Sequence, residues 1–165
     1  MSFVNPHQIL TKCGSNPFEV NKTMIQARML SGMYITDQLA IYWRTQNPAG
    51  FCLLPGCSNQ TVGSLEHILL QCPAMHITRR TMLNICHDIR EKFPEIRNFM
   101  NAVLTTNHPE IMVQFLLDCY TLPSVILLQQ TFGPEVLKPL FYVSRRWCYS
   151  VHRKRMILLG LFQFI

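Results

Sequence analysis

The chain has 165 residues, of which 48% are hydrophobic and 15% charged, so it is no disordered segment and is long enough to bury one sizeable core. The net charge of +6 is unevenly placed: residues 1–135 carry as many acids as bases, whereas 136–165 carry Lys138, Arg145, Arg146, Arg153, Lys154 and Arg155 and no acid. Such asymmetry favours a polyanionic partner.

In chain order, residues 1–16 are polar and irregular. Asn16-Pro17 has the form of a helix start, with proline at the first helical position. Val20, Met24, Ala27 and Leu30 recur at helical spacing and predict the packed face of a helix over 17–31, which Gly32 ends. A second helix is expected over 35–45, anchored by Leu39, Tyr42 and Trp43. Beyond a Cys-rich stretch, Met82, Cys86, Ile89 and Phe93 fall on one stripe of a helix over 74–92. Arg79-Arg80 on that helix is either a phosphate contact or a solvated face. Shorter helices are expected over 96–104, 110–119 and 122–131, the last a buried one. A long helix over 135–158 has Leu137, Leu140, Phe141, Cys148 and Val151 on its packed side. Almost nothing alternates with period two. The fold class is therefore nearly all-α, with a small knuckle embedded in a helical domain. Its parts are an N-terminal helical segment (1–50), the knuckle (51–73) and a C-terminal helical region with a basic last helix (74–165).

The knuckle carries the chemistry. Cys52, Cys57, His67 and Cys72 follow the pattern C-x4-C-x9-H-x4-C, a closed tetrahedral donor set for zinc. Pro55-Gly56 between the first two cysteines predicts a tight turn. Ser64 is a good N-cap, and Glu66 in the first turn complements the helix dipole, so His67 is expected just inside a short helix. His76, four residues after Cys72, is the rival imidazole. Four protein ligands leave no open position for water, and no catalytic residue is assigned. The expectation is a zinc cofactor in a protein that is not an enzyme.

Six cysteines beside Cys13, with no basic and apolar leader, point to a reducing compartment, nucleus or cytoplasm, rather than secretion. The apolar run 156–165 is about half of what a membrane span needs, so no membrane partner is expected. In the last helix, Arg146 and Arg153 lie seven apart with Tyr149 between them, and Arg145 and His152 repeat the relation one step round. Together with Lys154 and Arg155 they suit a phosphate backbone and stackable bases of RNA or DNA. The competing interpretation makes Trp147 and Tyr149 core and the arginines ordinary solvated charge. A second function reading is a helical protein–protein interaction module, in which zinc is structural and the basic helix docks on an acidic protein partner.

Four segments resemble the C-terminal, zinc-binding end of the reverse transcriptase polyprotein of non-LTR retrotransposons. They are Ala27-Arg28-Met29-Leu30-Ser31-Gly32-Met33-Tyr34, Glu66-His67-Ile68-Leu69-Leu70-Gln71-Cys72-Pro73, Phe115-Leu116-Leu117-Asp118, and the run from Arg145 to Arg155. The resemblance covers roughly residues 22–157. It implies that Cys52, Cys57, His67 and Cys72 are the zinc ligands and that the chain binds nucleic acid. The polymerase and endonuclease motifs of that family are missing from this sequence.

Overall fold

The computed structural model describes residues 16–37, 47, 49–58 and 60–161. Six α-helices are named here in chain order: α1 (Pro17–Leu30), α2 (His76–Lys92), α3 (Arg97–Thr105), α4 (Pro109–Asp118), α5 (Pro123–Phe132) and α6 (Lys138–Leu158). A π-helical turn (His67–Gln71) lies between α1 and α2. Among the described residues extended pairing is limited to one antiparallel bridge, Phe51 with Val62. The chain is thus nearly all-α, as its periodicity predicts.

Prolines set most of the helix starts. Pro17, Pro109, Pro123 and Pro139 occupy the first or second position of their helices, where the missing N–H costs nothing. Pro73, Pro94 and Pro134 open short 3-10 turns that lead into α2, α3 and α6. Asn16 caps α1 by accepting from the Phe18 N–H at 2.8 Å. Gly32 follows the end of α1 at φ +72°, a left-handed conformation that glycine adopts without strain.

The last helix is the centre of the molecule. Helix α6 packs against α1, α2 and α4. Its Leu140, Val143, Trp147, Cys148 and Val151 are essentially inaccessible, and they meet Phe115 and Leu116 of α4 and Met82 and Cys86 of α2 in one cluster. Met82, Cys86 and Ile89 of the predicted stripe are buried as their spacing predicts, whereas Phe93, its fourth member, caps the end of α2 and is only half-buried. Thiols of Cys86 and Cys148 are pushed up to about 12 by burial, so they are packed hydrophobes and not nucleophiles.

Two expectations about packing are overturned. The buried face of α1 is Thr23, Ile25, Gln26 and Met29, whereas Val20, Met24 and Leu30 are exposed. The cause is a polar anchor: the Gln26 side-chain amide donates to the Leu116 carbonyl at 2.7 Å and to Ser144 Oγ at 3.3 Å, tying α1 to α4 and α6. Thr23 satisfies its hydroxyl on the Glu19 carbonyl. Helix α5, expected to be buried, buries only Val125 and leaves Ile126, Leu127 and Phe132 exposed. It packs on the short turns beside it, which cover one side only. The expected helix over 35–45 lies largely outside the described residues, and 35–37 are not helical.

Candidate metal centre

The knuckle is built from local signals. Asn47 grips both backbone groups of Phe51, its amide donating to the carbonyl at 2.8 Å and its oxygen accepting from the N–H at 3.1 Å. The Phe51–Val62 bridge is flanked by bonds from Cys52 N–H to the Thr61 carbonyl and from Gly63 N–H to the Gly50 carbonyl. Between these arms Cys57 N–H returns to the Leu54 carbonyl, and Gly56 sits at φ +81°. Proline followed by a positive-φ glycine is the signature of a type II turn. It brings Cys57 back toward Cys52.

Ser64 caps the next segment, accepting from the His67 N–H at 3.1 Å, as its position predicts. The segment then widens. Cys72 N–H bonds the His67 carbonyl at 2.7 Å, five residues back. In an α-helix, positions five apart point about 140° away from each other. A π turn closes over five residues and brings both onto one side. The H-x4-C spacing thus needs a π turn to put both ligands on one ion. The spacing itself is the available signal, and a reading of this segment as an ordinary short helix overlooks it.

The result is convergence. One ligand atom each from Cys52, Cys57, His67 and Cys72 lies within 4.8 Å of all the others. Cys57 Sγ is 3.4 Å from both His67 Nε2 and Cys72 Sγ, and Cys52 Sγ is 4.0 Å from Cys72 Sγ. These separations are too long for a disulfide, and the cysteines are free. They suit the edges of a tetrahedron: metal–sulfur bonds of about 2.3 Å give sulfur–sulfur edges of about 3.8 Å. The four residues can therefore hold a metal ion. His76 is exposed at the start of α2 and is not part of the group.

The electrostatics match a donor site. Burial pushes the Cys52 and Cys57 thiols up, and at Cys57 the neighbouring sulfurs of Cys72 and then Cys52 add to this. Packing three sulfurs together is costly for three anions unless a cation sits among them. Burial, and then the nearby Arg79 cation, hold the His67 imidazole below its ordinary value, so it is neutral and able to donate a lone pair.

Arg79, expected as either a phosphate contact or part of a solvated face, is half-buried against the knuckle. Its guanidinium donates to the carbonyls of Cys72 and Gln71, capping the end of the π turn. Trp147 of α6 ties down the same turn by donating from Nε1 to the Leu69 carbonyl at 3.4 Å. Ile68 and Leu69 are fully buried.

The basic residues of α6 divide. Arg155 is 6% exposed; it donates to the Ile35 carbonyl at 2.9 Å and to Asp37 Oδ1 at 3.3 Å. Its burial counts against a phosphate role. His152 Nδ1 lies 3.2 Å from the Tyr34 hydroxyl, and Tyr149 meets Phe18 of α1 edge to face. Arg145 lies over the Phe141 ring and Arg146 over Tyr142. Arg153 is exposed and Lys154 half-buried. Comparison with protein-family models, curated proteins and solved structures finds no match to this chain.

Proposed function

We propose that the chain is a zinc-stabilised nucleic-acid-binding module, related to the C-terminal end of a non-LTR retrotransposon reverse transcriptase. The observation that carries the metal half is the convergence of Cys52, Cys57, His67 and Cys72 within 4.8 Å. A set of three thiolates and one imidazole suits zinc best among the common divalent ions. All four positions of a tetrahedron are then filled by protein, which makes the ion a fold-forming element with no site for an activated water. Free thiols at these positions fit a reducing compartment.

The nucleic-acid half is supported by the acid-free last thirty residues and by Arg146 and Arg153, which share the outer face of α6. The test is metal analysis of the purified chain together with salt-titrated binding to single- and double-stranded DNA and RNA. One zinc per chain and an affinity that falls steeply with salt are expected.

A second reading has its own observation. Arg155, His152 and Tyr149 are engaged with residues 18 and 34–37, so much of α6 serves as scaffold. In that reading the chain is a helical protein–protein interaction module that docks on an acidic protein. Zinc uptake without any nucleic-acid binding at low salt decides for it.

A further inference from the structure

Two charged side chains are buried far from the sulfur cluster in sequence and close to its frame in space. Asp37 is inaccessible and Arg155 nearly so. Burying charges is tolerated only when they are paired. The Arg155 guanidinium takes hold of one short segment at three points. It donates to the Ile35 carbonyl and to Asp37 Oδ1, and it lies 5.7 Å from the centre of the Tyr34 ring. Residues 34–37 are thereby fixed to α6.

That segment presses on the knuckle at Gly63. A Cβ added to Gly63 would stand 2.6 Å from the Asp37 Cβ and 3.0 Å from its Oδ2. Gly63 does not have a positive φ, so its backbone conformation would admit other residues. What excludes them is the closeness of Asp37. Gly63 in turn bonds Gly50 in the arm that leads to Cys52, and it precedes Ser64, the cap on the His67 N–H. A continuous line of contacts therefore runs from α6 through Asp37 and Gly63 to both sides of the sulfur cluster.

We propose that Asp37 is a positioning residue of the metal centre: gripped by Arg155, it braces the knuckle at Gly63, so that metal affinity depends on an ion pair that supplies no ligand. The inference rests on the metal-binding reading above and adds to it a link between the last helix and the site. Groups outside the ligand set that orient a metal site typically change its affinity by about ten- to a hundredfold when removed.

The experiment is zinc competition against a chromophoric chelator on the full chain, with circular dichroism to confirm folding. Gly63→Ala and Arg155→Met should each lower zinc affinity by about ten- to a hundredfold. The double variant should bind no more weakly than the worse single one, since both break the same line. Arg155→Lys keeps the charge without the planar fork and should fall between wild type and Arg155→Met. Val125→Ala, a buried change on α5, should lower the melting temperature and leave zinc affinity within about twofold of wild type. The proposal is overturned if Gly63→Ala and Arg155→Met both bind as wild type does, or if Val125→Ala weakens zinc as much as they do. Should Arg155→Met fail to fold, unchanged affinity in Gly63→Ala and Arg155→Lys overturns it equally. A wild-type chain that takes up no zinc would refute the metal reading itself, an outcome visible before any variant is compared.

Discussion

The double variant Arg146→Gln/Arg153→Gln separates the two roles of α6. Of the six cations in the last thirty residues, Arg155 is buried against Asp37, and Lys138 pairs with Glu135. Arg146 and Arg153 share the outer face of the helix, the first half-buried over Tyr142 and the second exposed. If both touch phosphate, each contributes about 0.7 to 0.9 to the slope of log affinity against log salt, and their loss flattens it by about 1.4 to 1.8. From about 50 to 200 mM salt, wild-type affinity should then fall about seven- to twelvefold more than that of the variant. Stability should barely move, because surface changes cost roughly 0.5 kcal/mol or less and the exposed Arg146–Tyr142 contact contributes about 0.5 to 1 kcal/mol. Zinc content should be unchanged. The assay is fluorescence anisotropy with labelled single- and double-stranded probes, which set the lower and upper ends of that range, at four or so salt concentrations, beside a thermal melt. Parallel slopes for wild type and variant would refute the placement of phosphate contacts on this face, and with it the main support for nucleic-acid binding outside the sequence resemblance.

His67→Ala should lower zinc stoichiometry and His76→Ala should not, as measured by metal analysis after gel filtration. Chelation should destabilise the fold: at free zinc a thousand times the dissociation constant, binding contributes about 4 kcal/mol, so a chelator should lower the melting temperature of wild type and have little effect on Cys72→Ser. Burial, then the Arg155 and Arg28 cations, hold the His152 imidazole below its ordinary value of 6.5. The unfolded chain therefore takes up this proton first. His152 costs no stability above that ordinary value, and stability is lost as pH falls from there through the lowered folded value. His152→Asn should accordingly show a smaller drop in melting temperature than wild type between about pH 7.5 and 5.5. Phe115→Ala, at a fully buried ring, should cost about 3 to 5 kcal/mol in denaturant titration while the folded fraction retains its zinc.

The features that could be read from the sequence are those whose partners are near in sequence. The Pro55-Gly56 turn, the Ser64 cap, the end of α1 at Gly32 and the Met82–Cys86–Ile89 stripe each depend on neighbours within a turn or two. The four ligands also belong here, because their order and spacing already encode a closed donor set. The face of α1 could not be read in this way. Val20, Met24 and Leu30 make an apolar stripe, yet the inward residue is Gln26, and its partner is the carbonyl of Leu116, ninety positions away. Hydrophobic periodicity assumes that apolar side chains face inward, and a single buried amide whose nitrogen donates to two other helices reverses the assignment. Helix α5 misleads for a related reason. Its apolar content predicts burial, but nothing in the sequence says how many neighbours it will have.

The basic helix shows the same limit from the side of charge. Counting places the entire excess charge after residue 135, and helical spacing correctly puts Arg146 and Arg153 together. Neither can reveal that Asp37 waits for Arg155 across nearly the whole chain. Arg155 lies only two residues after Arg153, about 200° round the helix, and that rotation changes its environment from solvent to the interior. Removing one member of a buried ion pair typically costs about 3 to 5 kcal/mol, far more than the loss of a solvated arginine. A variant that neutralises all six cations at once would therefore lose binding through unfolding whether or not any of them touches phosphate. Only substitutions confined to the outer face can report on nucleic acid, and only those at Asp37, Gly63 and Arg155 can report on the link between this helix and the metal centre.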